Sequence, residues 1–96
     1  MKKTIEVTAK DIARAKAHRA KASWDVLMQC PVALAANRAF KVRHKASTGM
    51  TTLSMLKMHI PDILLPLKAT KLINDFDHSK IDQDWPVNPI TFDVEY

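Results

Sequence analysis

Four histidines, one cysteine and ten carboxylates are the groups in this 96-residue chain that could do chemistry. His18, His44, His59 and His78 show no His-x-x-x-His spacing and no paired cysteines to complete a metal site. Asp77 and His78 adjoin at the end of an expected helix, where a cationic imidazole favourably meets the helix dipole. Cys30 precedes Pro31 at an expected helix start, a place that can lower a thiol pKa and make a nucleophile. The competing reading is a small buried thiol used as packing, since cysteine is among the most buried residue types. No serine lies in a nucleophile elbow, and a single glycine leaves no phosphate-cradling loop. Asp75, Asp77, Asp82 and Asp84 imitate a calcium loop, but Ile81 and the missing glycine and terminal glutamate break the pattern. The expectation is therefore a protein without catalytic, cofactor or metal residues.

Charge is the stronger signal. The net charge is +5, and it is unevenly placed. Residues 1–61 hold twelve Lys/Arg against three Asp/Glu, whereas residues 62–96 hold three lysines against seven acids. A basic front and an acidic tail bear on partners and association rates rather than on fold. The cations singled out are Lys10, Arg14, Lys16, Arg19 and Lys21 on one helix, backed by Lys41, Arg43 and Lys45 on a following strand. Such residues suit phosphate contacts that are salt-dependent and blind to sequence. A helix-turn-helix reading fails in detail, because the second helix offers only Asn37 and Arg38 to read bases. Stacking aromatics for single strands are scarce. A protein partner is the other reading, with Trp24, Trp85 and Tyr96 as anchors if exposed. Met50, Met55 and Met58 would then be an adaptable contact surface or, more commonly, core filling.

The elements that must position these cations follow from pattern. Thr4–Val7 alternates as a short strand. Thr8 caps a helix from Ala9 to about Ser23, with Asp11 at the third position completing a Ser/Thr-x-x-acid start. Ala9, Ala13, Ala17, Ala20, Trp24 and Leu27 share one arc if the helix runs on to Leu27, and its small alanine face is predicted to pack closely against a neighbour. Cys30–Phe40 reads as a short buried helix, with Pro31 at its first position and Val32, Ala36, Ala39 and Phe40 on one face. Lys41–Ser47 alternates as a strand, Thr48-Gly49 supplies the turn, and Met50–Ile60 returns as a strand or turns helical from Met55. Pro61 and Pro66 bracket a connection. Pro66 then opens a helix with Ala69, Leu72, Ile73 and Phe76 inside, and Ser79–Asn88 is an acidic loop pinned by the Trp85 indole. Ile90, Phe92 and Val94 face inward from the last strand, which is expected to pair with the first. The order is β-α-α-β-β-α-β, a single α+β domain with about three helices on one face of a small antiparallel sheet. No apolar run is long enough to span a membrane, and Met1–Thr4 has no apolar stretch behind it to make a secretory signal. The lone cysteine fits a reducing cytoplasm.

The run Cys-Pro-Val-Ala-Leu-Ala-Ala at 30–36 resembles a motif of small proteins encoded by bacteriophages and mobile elements. In those, an Ile-Glu-Val-Thr-type strand precedes the Cys-Pro helix, and a proline-led helix ending in Phe-Asp is followed by a Pro-x-x-Phe-x-Val-type strand. Ile5–Thr8, Cys30–Ala36, Pro66–Asp77 and Pro89–Val94 stand in those places here. The resemblance implies a phage or prophage origin and carries no catalytic residue. With the basic front, it leads to the expectation of a binding protein that modulates or inhibits a host protein or nucleoprotein complex. Weakly specific DNA or RNA binding is the alternative.

Overall fold

A nine-residue helix, Pro31–Ala39, sits at the centre of the computed structural model, touching elements from both ends of the chain. The structure describes residues 1–21, 30–43, 45–49 and 51–96, with only the backbone described at 18–21. In chain order the elements are β1 (Lys2–Val7), α1 (Ala9–Lys21), α2 (Pro31–Ala39), β2 (Ala46–Thr48), β3 (Thr52–Met55), β4 (Ile63–Leu64), α3 (Leu67–His78) and β5 (Ile90–Glu95). The class is α+β, with three helices and two antiparallel sheets among the described residues. β1 pairs with β5, from Lys2↔Glu95 to Val7↔Ile90, so the first and last strands join as expected. The remaining strands form a second sheet in the order β2-β3-β4.

α2 packs on α1, α3, β1 and β2. Its composition explains how one short helix can face four neighbours. Pro31, Val32, Ala33, Ala35 and Ala36 are all buried, and alanine lets a neighbouring backbone approach closely while keeping helix propensity. Cys30 starts the helix, its Sγ accepting from Ala33 N–H at 3.4 Å. Around it the core gathers Ile5 and Val7 of β1, Ile12 and Ala15 of α1, and Leu53 and Met55 of β3. Ala69, Leu72, Ile73 and Phe76 of α3 and Phe92 and Val94 of β5 complete it. The apolar spacing of α3 and β5 therefore matches the buried face in both elements.

Four expectations differ from the structure. The strands form two sheets rather than one, because β1 and β5 pair only with each other, and β4 adds a two-residue strand to the second sheet where a plain connection was expected; Thr52↔Leu64 and Leu53↔Ile63 are its pairs. The strand expected from Lys41 begins at Ala46, since Lys41 and Val42 first complete the end of α2. Met50–Ile60 is neither one strand nor a helix after Met55: β3 stops at Met55 and a turn follows. The alanine arc of α1 is not its packing face. Ala9, Ala13 and Ala17 are exposed, and the helix is seated through Asp11, Ile12 and Ala15. An isoleucine buries more apolar surface than an alanine, so the side that carries Ile12, with Ala15, turns inward. Trp24, Asp25 and Leu27 lie outside the described residues, as do His44 and Met50.

Candidate docking surface

The site is built at the C-terminal end of α2, where three devices fix the chain. The first is the helix end itself. Lys41 N–H donates to Arg38 O at 3.1 Å and Val42 N–H to Asn37 O at 2.9 Å, with Lys41 at φ 57°. This is a Schellman ending, in which glycine is usual at the left-handed position because it lacks a Cβ. Here a lysine occupies it, and its side chain is exposed.

The second device is Asn37. Its Oδ1 accepts from Lys45 N–H at 3.1 Å and Ala46 N–H at 2.9 Å, so a helix side chain holds the start of β2. The third is an ion pair between helices. Arg38 Nη1 donates to Asp11 Oδ1 at 2.6 Å and Nη2 to Oδ2 at 2.8 Å, while Nη2 also donates to Glu6 O at 2.7 Å. Asp11 in turn accepts from Thr8 N–H at 2.9 Å, and Thr8 Oγ1 accepts from Asp11 N–H at 3.2 Å, which is the expected capping box. Burial pushes the Asp11 carboxyl up, but the Arg38 and Thr8 hydrogen bonds and the guanidinium charge outweigh it, so the net shift is downward. Asn37 and Arg38 are thus committed to internal contacts, and the helix-turn-helix reading loses both of its base-reading candidates.

Beyond these devices two loops meet. Leu56 N–H donates to Lys45 O at 2.7 Å, one step past the Ala46↔Met55 pair, so Lys45 lies beside the start of the turn 56–59. Lys41, Arg43 and Lys57 are exposed and Lys45 is half-buried. Lys57 and His59 share the positive φ of Lys41, at 61° and 57°. None of Lys41, Arg43, Lys45 and Lys57 is in an ion pair among the described residues. Lys3 also reaches this end, its Nζ 5.5 Å from the centre of the Phe40 ring.

Of the sequence-predicted cations, Lys41 and Arg43 are exposed just after α2 and Lys45 is half-buried at the foot of the hairpin. Lys10 is exposed on the first turn of α1, which the Asp11–Arg38 pair ties to the last turn of α2. Arg14 is exposed one turn further along α1, and Lys16 is half-buried. The side chains of Arg19 and Lys21 lie outside the described residues. Lys57 was missed. A cation in an apolar stretch read as strand carries no signal until the turn is known to end beside Lys45.

α3 packs on α2, and near its C-terminal end Asp75 pairs with Lys71 at 2.9 Å and Asp77 with Lys80 at 3.4 Å. Trp85 Nε1–H donates to Asp75 Oδ1 at 3.0 Å and its ring lies 3.9 Å from that of His78, so the indole pins the 79–88 loop as expected. Tyr96 packs edge-on to Phe40 at 5.2 Å, which makes it part of the fold rather than a free anchor. Met55 is in the core and Met58 packs against it.

The Cys30 thiol is buried beside Thr48 Oγ1 at 2.8 Å. Burial pushes its pKa up, against the lowering that a nucleophile would need. A recess of about 350 Å³ between Val7–Ala9 and Pro89–Thr91 has Glu6 as its one titratable side chain. Among the described residues no group of three His, Cys, Asp or Glu could hold a metal ion, and no helix is long and apolar enough to cross a membrane. No protein-family model, curated protein or solved structure matches the chain.

Proposed function

We propose that this chain is a binding protein with no chemistry of its own. It docks through the basic end of α2 onto an anionic face of a macromolecular complex and modulates or inhibits that complex. The observation that carries this reading is the Lys45–Leu56 bond, which sets Lys45 across the hairpin from the turn that carries Lys57, with Lys41 and Arg43 exposed on the chain between α2 and Lys45; none of the four is in an ion pair among the described residues. Lys10 and Arg14 extend the same surface along α1. On this reading the encounter takes place in a host cytoplasm, as the resemblance to phage-encoded proteins implies.

The test compares two variants that lose the same charge. Arg43→Gln/Lys57→Gln removes cations from the basic end. Lys71→Gln/Lys80→Gln removes cations that face Asp75 and Asp77 near the end of α3. Retention on immobilised heparin and on immobilised polyglutamate, eluted with rising salt, should fall sharply for the first variant and little for the second. Equal losses would mean that only net charge matters, and the docking surface would be gone.

A further inference from the structure

We propose that the basic end recognises an acidic protein segment carrying an apolar side chain, with Leu56 as the apolar contact at its centre. The proposal rests on the docking reading above and narrows it to one class of partner. Leu56 is 43% exposed, although the residues beside it in the turn are anchored. Met58 and Ile60 pack against the core, and Leu56 N–H is held by Lys45 O at 2.7 Å. The pairing Ala46↔Met55 puts Lys45 opposite Leu56. Ala46 and Met55 are buried, so by alternation Lys45 and Leu56 share the outward face of the hairpin. Lys57 follows directly, and Lys41 and Arg43 belong to the loop that leads into Lys45. The result is an exposed leucine with cations beside it along the chain and across the hairpin.

That composition discriminates between partners. A nucleic-acid backbone offers phosphates and sugars, and gains nothing from a leucine; contacts to it come from cations, hydroxyls and backbone N–H groups. Stacking on bases needs exposed aromatic rings, yet Phe40 and Tyr96 at this end pack on each other. An acidic segment with a leucine or phenylalanine uses both parts of the surface. Its carboxylates meet the lysines and Arg43, and its apolar side chain covers Leu56. Leu56 is also held in place before binding, so little side-chain or loop ordering is needed on this side of the contact.

The probes are three fluorescein-labelled molecules read by anisotropy: an acidic peptide with a central Leu-Leu pair, the same peptide with Ser-Ser, and a generic DNA duplex. Wild type is compared with Leu56→Ser and, as a second variant with a bulkier polar side chain, Leu56→Gln. Thermal unfolding checks that both keep the fold. The Leu-Leu peptide should bind most tightly, and either the Ser-Ser peptide or a Leu56 variant should weaken binding roughly five- to twentyfold. The two changes together should cost little more than one alone, because they remove the same contact. Equal affinity of both peptides, indifference to the Leu56 variants, or tighter binding of the duplex would each overturn the proposal. Duplex binding that depends on Arg43 and Lys57 but not on Leu56 would leave the docking surface standing and remove this partner. Failure of all three probes to bind would remove both.

Discussion

Replacing Arg38 with alanine should unfold the protein more readily than any other exposed charge deletion, and the loss should shrink in acid. The structure supplies the sign and the size. The Asp11 side chain is 4% exposed, whereas that of Arg38 is 53% exposed. Arg38→Ala therefore leaves a buried carboxylate short of two charge-assisted hydrogen bonds. Breaking a fully buried pair from one side costs roughly 3–5 kcal/mol. Thr8 still donates to Asp11, and half of the guanidinium was already in water, so the figure must be discounted to roughly 2 kcal/mol. The reciprocal change, Asp11→Ala, releases a guanidinium that can hydrate. It forfeits mainly the capping box and the attractive pair, roughly 1–2 kcal/mol.

The pH dependence separates this account from simple loss of packing. In wild type the Asp11 carboxyl lies below its ordinary value. Its stabilising contribution is present above the unfolded pKa of about 3.9, and is lost as pH falls through the folded value. Without Arg38 the guanidinium hydrogen bonds and charge no longer hold the carboxyl down, so its folded pKa rises relative to wild type. The gap between variant and wild type then narrows as pH falls, because protonation removes the charge that the pair had served. Urea unfolding at pH 7 and pH 3.5, read by circular dichroism, measures both arms. A loss below about 0.5 kcal/mol at pH 7, or one as large in acid as at neutrality, would refute the argument that Asp11 is the buried member of a functioning pair.

Lys41→Gly should raise stability by roughly 0.5–1 kcal/mol, because glycine takes a φ of 57° without the Cβ clash. The same variant should lose affinity for heparin, and a gain in both would argue against a docking role for Lys41. Gly49→Ala should be neutral to slightly stabilising in thermal unfolding, since Gly49 has no positive φ and an added Cβ would meet Thr52 Oγ1 at an ordinary 3.5 Å. Cys30 should react with a thiol-specific reagent only on unfolding; fast native-state labelling at neutral pH would contradict its burial and raised pKa.

What the chain discloses about its fold follows from how local each signal is. The capping box at Thr8 and Asp11, Pro31 at the first position of α2, and the inner faces of α3 and β5 were all legible, because each depends on residues within one or two turns. The start of β2 was not. Val42, His44 and Ala46 alternate as a strand would, but α2 ends in a left-handed lysine that no propensity rule anticipates, and Asn37 rather than a strand partner holds Lys45 and Ala46. Gly49 invited a turn, and the turn is there, yet its conformation does not need a glycine. α1 misled for a different reason: spacing alone puts its alanines on one arc, and only the burial of Ile12 and Asp11 against the rest of the molecule decides which arc faces in. Of the site, the three cations from 41 to 45 were legible as a group. The placing of Lys45 beside the turn that carries Lys57 depends on a hairpin register that a stretch with so little alternation does not specify.

The polarity of α2 connects these pieces. A helix of nine residues is about 14 Å long, so its two ends are more than a Debye length apart at physiological salt. Lys41, Arg43 and Lys45 follow the C-terminal end, which is the arrangement that the helix dipole favours. The dipole alone accounts for charges in the last turn, where Arg38 sits. It does not account for Lys41 and Lys57, which each hold a left-handed backbone that glycine would adopt with less strain. Backbone strain of that kind, on the order of 1 kcal/mol at each position, persists where surrounding contacts enforce it and a side chain is needed at the site. The contacts are present, in the Schellman bonds at Lys41 and the Lys45–Leu56 bond beside Lys57. On the docking reading proposed above a partner would supply that need, and Lys41→Gly tests it directly, because stability and binding should then move in opposite directions.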